Sequence, residues 1–327
     1  MVKKILFTIV LAFNIQANET TKVDTLVLSG PMASVSHPLL RMIDSGALKD
    51  VAKNVKFVMW KSPDELRALT LRGKANFIAV PTNVAANLYN KGVDIKLQNV
   101  SVWGILGMLT RDKNKKTLAD FKGCEIVMPF RGDMPDIVFQ EIAKKEGFDP
   151  KKDFKIQYVS SPIDAMQMLI MRRVDNALLV EPAISMALRK THSFPLKLIA
   201  PDLYRSADLQ KEWGEVFYVK GKIPQAGMAT IGKVDPYIVK RFNKEYAKAL
   251  TWYKTHPQEA GKLVNKYIPM LTPEAVADSI GYVQLNDVSA KDAKKDLEFF
   301  FNVLKNNNPK IIGGKLPSSG FYHTDSK

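Results

Sequence analysis

Two stretches of the chain repeat one pattern of apolar and polar positions. Lys56 to Leu88 reads KFVMWKSPDELRALTLRGKANFIAVPTNVAANL, and Lys155 to Leu188 reads KIQYVSSPIDAMQMLIMRRVDNALLVEPAISMAL. Ser62 and Pro63 match Ser161 and Pro162 at an offset of 99, Asn76 matches Asp175, and after one inserted residue Val80 matches Val180. In each copy a β-rich run (Phe57 to Trp60, Ile156 to Val159) meets Ser-Pro, followed by an acid (Glu65, Asp164). Serine caps a helix start, proline suits the first helical position because its missing N–H is unpaired there anyway, and the acid completes a capping box. Leu66 and Leu69 in one copy, and Met166, Leu169 and Ile170 in the other, then recur at helical spacing before a second apolar run, Phe77 to Val80 or Ala177 to Val180. Strand, helix, strand buries its faces as a right-handed parallel crossover. Met166, Met168 and Met171 read as core packing of that second helix.

The pattern extends around both units. Leu26 to Leu28 predicts a strand, Gly30 to Ser36 a loop of small residues, and Pro38 onward a helix. Glu125 to Met128, Phe130 to Met134 and Pro135 onward repeat that order. Amphipathic helices are predicted over Pro236 to Thr255 and Lys291 to Leu304, padding the first unit. The expected fold class is therefore α/β, with two similar units.

Composition agrees with that reading. Of 327 residues 46% are apolar and 25% charged, which predicts a packed core, and at this length two lobes of roughly 100 to 150 residues are expected. Forty-eight Lys and Arg against 33 Asp and Glu give +15, but the excess is scattered and forms no basic stripe interleaved with aromatics, so no nucleic-acid partner is expected. Met1 to Lys4 followed by the apolar run Ile5 to Phe13 and the small residue Ala17 reads as a cleavable secretory signal, residues 1–17. Its removal takes two lysines and no acid, leaving 15 − 2 = +13. No other stretch has the length of a membrane helix. Cys124 is the only cysteine, and His37, His192, His256 and His323 lie scattered, so no disulfide, zinc set or catalytic triad is predicted.

Four segments carry a resemblance to a known family: GKANFIAVPTNVAANLYNKG (Gly73 to Gly92), TLADFKGCEIVMPFRG (Thr117 to Gly132), RVDNALLVEPAISMA (Arg173 to Ala187) and IIGGKLPSSGFY (Ile311 to Tyr322). In that order, over nearly the whole exported chain, they resemble the periplasmic substrate-binding proteins of ABC importers in the nitrate, sulfonate and taurine group. The resemblance implies a type II periplasmic binding protein fold: two lobes, each a mostly parallel sheet flanked by helices, joined by two hinge crossings. These are expected near Leu109 to Lys113 and Val219 to Gln225, giving one lobe of residues 18–110 plus 224–327 and a second of 111–223. It further implies a periplasmic monomer without catalytic activity or cofactor, which binds a small anionic or zwitterionic solute between its lobes. The solute would pass to an inner-membrane permease and its ATPase subunit. An alternative on the same scaffold is binding or synthesis of a pyrimidine of the thiamine-precursor type, which would need a reactive group such as His37 in the cleft.

Ligands of parallel sheets settle beyond the carboxyl ends of strands, where helix starts present free N–H groups. That rule selects Ser34, Ser36 and His37 in the first loop, each of which fits a helix cap or a ligand contact, and Thr82 and Asn83 after the next strand. In the second lobe it selects Arg131, Gly132 and Asp133. Arg131 has the donor fork for a planar anion, or else pairs with Asp133 or Asp136. Glu181 needs a partner, either a lysine or arginine across the hinge or a cationic part of the ligand. Of the aromatics Trp60, Trp103, Phe130 and Tyr204, which offer a stacking wall, Trp60 is assigned to the site because it ends a strand.

Overall fold

A computed structural model describes residues 22–324. The signal segment expected at residues 1–17 lies outside the described residues.

Ser62 Oγ accepts the Glu65 N–H and Ser161 Oγ the Asp164 N–H, both at 3.2 Å, so the two Ser-Pro pairs start helices as their sequence predicts. In the first copy the acid reaches one residue further back, Glu65 Oε2 accepting the Lys61 N–H at 2.7 Å. From there the chain order is β1 (Val23–Gly30), α1 (His37–Asp44), β2 (Ala52–Met59), α2 (Pro63–Leu71), β3 (Phe77–Pro81), α3 (Thr82–Asn90), β4 (Ile95–Leu97) and β5 (Asn99–Gly104). The second lobe holds β6 (Leu106–Thr110), β7 (Glu125–Pro129), α4 (Met134–Lys145), β8 (Lys155–Val159), α5 (Pro162–Ile170), β9 (Asn176–Val180), α6 (Ala183–Thr191), α7 (Leu196–Ile199), β10 (Tyr204–Asp208) and α8 (Leu209–Phe217). The chain then returns with β11 (Ala226–Ile231), α9 (Pro236–Thr255), α10 (Pro257–Tyr267), α11 (Pro273–Ile280), β12 (Gln284–Ser289) and α12 (Lys294–Asn307).

The first sheet runs β12-β5-β11-β3-β1-β2, with β4 also paired to β11; the second runs β10-β6-β9-β7-β8. Parallel pairing joins β1 to β2 and β3, and β7 to β8 and β9. The other pairings are antiparallel, so both sheets are mixed where mostly parallel ones were expected. The reason is connectivity: the crossing strands β6 and β11 enter their sheets against the direction of the crossover units.

The outward crossing lies at Gly104 to Leu106, ahead of the Leu109 to Lys113 expected, because β6 already belongs to the second sheet. The largely apolar run Val100 to Leu109 hides the change of sheet, since both strands are buried and only Ile105 separates them from a single longer strand. The return crossing runs from Phe217 to Ala226.

Helix α9 packs on α1 and on β12. Phe242 stacks on Phe77 with ring centroids 3.7 Å apart and planes 10° from parallel, so this helix closes the first core from outside. Helix α12 buries Leu297, Phe300, Phe301 and Leu304 and touches α4 of the second lobe, where Asn307 donates to Glu141. Among the described residues no helix is long and apolar enough to cross a membrane.

Candidate functional site

The carboxyl ends of β1, β2 and β3 face those of β7, β8 and β9 across a cavity of about 340 Å³. Equivalent parts of the two repeats line it: Lys61 and Pro63 from one, Ser161, Pro162, Ile163 and Asp164 from the other. The crossings supply Val102, Ile105, Leu106, Gln225 and Ala226. Met270, between α10 and α11, also lines it.

The lining is overwhelmingly apolar. Met32, Met59, Met134 and Met270 supply flexible, polarizable side chains, and Trp60 and Phe130 supply aromatic surface. The Trp60 indole N–H is satisfied by the Ala79 carbonyl at 3.2 Å, which fixes the ring as a wall. Phe130 holds a positive φ of 63°, strained for a bulky side chain, and its carbonyl accepts the Asp133 N–H at 3.0 Å. Gly132 follows at φ 75°, where glycine carries no penalty, and donates its N–H to Asp136 Oδ2 at 2.7 Å.

Three helices begin at this cavity, each with a proline at its first or second position: Pro63 in α2, Pro135 in α4 and Pro162 in α5 all line it. A helix start attracts anions through free N–H groups. Proline has none, and the N–H groups of Glu65, Asp164 and Ile137 are already bonded to Ser62, Ser161 and Asp133. At each of these helix starts a pyrrolidine ring thus takes the place of one donor.

Of the residues selected from sequence, Trp60 and Asp133 line the cavity. Asp133 is buried and pairs with Arg67 of the opposite lobe, Nη2 to Oδ1 at 2.9 Å. Burial pushes its carboxyl above the usual range, and the Arg67 guanidinium pulls in the other direction.

The others are held elsewhere. Arg131 is exposed, its guanidinium 5.3 Å from the centre of the Tyr158 ring, and it pairs with neither Asp133 nor Asp136. Asp136 is occupied instead by Gly132 N–H, the Gln140 amide and the Tyr158 hydroxyl. Gly132 is likewise exposed. Glu181 is buried and bonded within its own lobe, not across the hinge: Arg205 Nη1 lies 2.6 Å from Oε1, and the Ser185 N–H and hydroxyl donate at 3.1 and 3.2 Å. Burial raises its carboxyl pKa and Arg205 opposes that.

Ser34 and Ser36 are buried beside α1 and do not line the cavity, nor does His37. His37 Nδ1 is bonded to the Tyr253 hydroxyl at 2.8 Å, and burial lowers its pKa to about 3, so the ring is neutral. Thr82 ties β3 to the return crossing, its hydroxyl donating to the Pro224 carbonyl at 2.5 Å. Asn83 is buried in α3, with Oδ1 unpaired.

Residues not selected from sequence complete the wall. Phe130 is among the aromatics that the sequence offers as a stacking wall, without being assigned to the site; Met134, Ile163 and Gln225 have no motif, their signal being adjacency to a strand end, and for Pro63, Pro135 and Pro162 it is the helix start itself. Among the described residues no cluster of His, Cys, Asp and Glu could hold a metal ion.

An ABC transporter protein from Parabacteroides distasonis superposes with a TM-score of 0.74 at 21% identity, covering 92% of this chain and 99% of that one. The periplasmic aliphatic sulphonate-binding protein of Escherichia coli gives 0.67 at 14%, covering 93% of each. The chain has the periplasmic binding protein fold. The periplasmic nitrate-binding protein of Synechocystis PCC 6803 shares the fold more loosely, at 0.62 and 15%, covering 78% of this chain and 69% of that one. No protein-family model and no curated protein matches the sequence. In this fold the two lobes enclose the cleft, and here they also touch through the Arg189–Asp278 pair (Nη2 to Oδ1 2.8 Å) and through Arg205, 3.6 Å from the centre of the Tyr282 ring.

Proposed function

We propose that this protein is a periplasmic solute receptor: it captures a small organic molecule between its lobes and delivers it to a membrane permease driven by an ATPase. The observation that carries the proposal is the cavity itself, framed by the carboxyl-end loops of both sheets and bridged by Arg67 and Asp133. A solute touching both walls favours the closed arrangement by its differential affinity, and that arrangement is the signal a permease reads. The names of its structural neighbours, a sulphonate-binding and a nitrate-binding periplasmic protein among them, support the same reading. On this proposal residues 22–104 with 226–324 form one lobe, the segment from Leu106 to Phe217 forms the other, and the receptor acts as a monomer.

The reading of an enzyme acting on a pyrimidine draws no support from His37, which lies outside the cavity with its ring neutral and bonded to Tyr253. The test of the receptor reading is native mass spectrometry of the purified protein for a co-purifying small molecule. It is paired with small-angle scattering before and after that molecule is removed. Release of the molecule with an increase in radius of gyration is expected; an identical scattering curve in both states would count against ligand-driven closure.

A further inference from the structure

An anion receptor needs cations or free N–H groups facing its ligand, and this cavity faces inward with proline rings, methionines and aromatics. Three charged side chains line it. Asp133 is engaged by Arg67 at 2.9 Å and Asp164 by the Ser161 hydroxyl at 2.8 Å, while Lys61 is exposed to solvent. Arg131, the guanidinium nearest in sequence, lies over Tyr158 and outside the lining.

One polar side chain of the lining stands apart. Gln225, on the return crossing, is 1% exposed, and its Oε1 has no partner. Its orientation follows from its neighbour. Gln210 Oε1 accepts the N–H groups of Ile105 (3.1 Å) and Leu106 (2.9 Å), and Gln210 Nε2 donates to the Leu106 carbonyl (3.0 Å) and to Asp208 (2.8 Å). With Gln210 fixed by these four bonds, only the NH₂ of Gln225 can face Gln210 Oε1, which it does at 3.2 Å. The free group is therefore an acceptor, and a buried acceptor without a donor carries a desolvation cost that a bound donor removes.

We propose that the cavity takes a compact, largely apolar organic molecule bearing one hydrogen-bond donor, a hydroxyl or an N–H, which Gln225 Oε1 accepts at the hinge. This rests on the receptor reading and departs from the sulfonate- or nitrate-like solute that the sequence suggests. A sulfonate or nitrate brings only acceptor oxygens, which would meet a carbonyl oxygen, apolar surface and proline, with the solvent-exposed Lys61 as the one cation of the lining. The position of Gln225 on a crossing also couples the donor to closure, because Gln225 and Gln210 join the return crossing to the second lobe.

The experiment is calorimetric titration of the full exported chain with 4-methylphenol, indole and cyclohexylmethanol as donor-bearing apolar probes. Toluene and 4-methylanisole serve as probes without a donor, and toluene-4-sulfonate, ethanesulfonate and nitrate as anions. At least one donor-bearing probe is expected to bind, with 4-methylphenol at least tenfold tighter than 4-methylanisole. Replacement of Gln225 by Met (Gln225→Met) is expected to shrink that preference to within twofold, and Ile163→Ser to weaken all apolar probes several-fold. Binding of the anions without the apolar probes would overturn this inference and leave the receptor reading intact. Equal binding of 4-methylphenol and 4-methylanisole would overturn the role of Gln225 even if Gln225→Met fails to fold. Binding of no probe, together with no co-purifying molecule, would overturn both.

Discussion

Arg67 and Asp133 belong to opposite lobes and meet at the cavity, Nη2 to Oδ1 at 2.9 Å. Arg67 projects from α2 of the first repeat, and Asp133 is the residue that precedes α4. The pair links the two walls.

Replacing Arg67 by Ala leaves a buried carboxylate at the cavity edge without its partner. Because Arg67 is itself partly exposed, the expected cost is about 1 kcal/mol, which amounts to roughly a fivefold faster release of the bound solute with little change in its rate of entry. Stopped-flow dissociation of the co-purified molecule measures this; an unchanged off-rate would remove the pair from the closing mechanism.

Glu181 and Arg205 are expected to matter for stability and not for ligand affinity. Arg205→Met strips the counter-charge from a carboxylate that is 1% exposed and should cost about 3 kcal/mol in urea unfolding. Adding Glu181→Gln to that variant should restore part of the loss, since the buried charge is then gone. A large change in solute affinity in the double variant would place Glu181 in the site after all.

His37 predicts an acid-side loss of stability. Its ring titrates near 6.5 when exposed and at about 3 when folded, so the unfolded chain binds the proton first and stability falls as pH drops from about 6.5 to 3. Fully developed, the loss is on the order of 5 kcal/mol. Chemical unfolding of the native chain and of His37→Met at pH 7 and pH 4 tests it: the variant should show a smaller drop, and an equal drop in both would assign the effect to other groups.

Glu212 predicts the opposite slope. Burial first, and then the neighbouring Glu146 and Glu215, lift its pKa to about 7, so the folded protein holds a proton that the unfolded chain has released above its ordinary 4.5. Stability therefore declines as pH rises from about 4.5 to 7 and levels off beyond. Glu212→Gln should remove that decline and stabilise the protein at pH 8 by roughly 1 kcal/mol, a value reduced for partial solvent screening. A melting temperature at pH 8 identical to that of the native chain would contradict it.

The local elements were legible because their causes are local. A Ser-Pro start acts within one helical turn, and the periodicity of Leu66 and Leu69 or of Met166 and Leu169 is a property of one helix. Helix α9 spans Pro236–Thr255 as its amphipathic pattern predicts. The repeat announced two similar units, and of the loops named by the strand-end rule those after β1 and β7, with Pro81 after β3, line the cavity, whereas Glu181 and Pro182 do not. It singled out Trp60 and Asp133, but also polar residues that turn inward to support the lobes.

What the sequence alone determined was the succession of strands and helices, the pairing of two repeats and the loops that face one another, since capping, periodicity and proline geometry are written in neighbouring residues. Tertiary structure decided which side chains meet in the gap. A positive φ at Phe130 sets the turn in which Arg131 lies over Tyr158, burial commits Glu181 to Arg205 and His37 to Tyr253, and three prolines far apart in the chain converge on one cavity. The physical reason is that a polar side chain takes the nearest partner that satisfies it, and that partner is chosen by packing between distant segments.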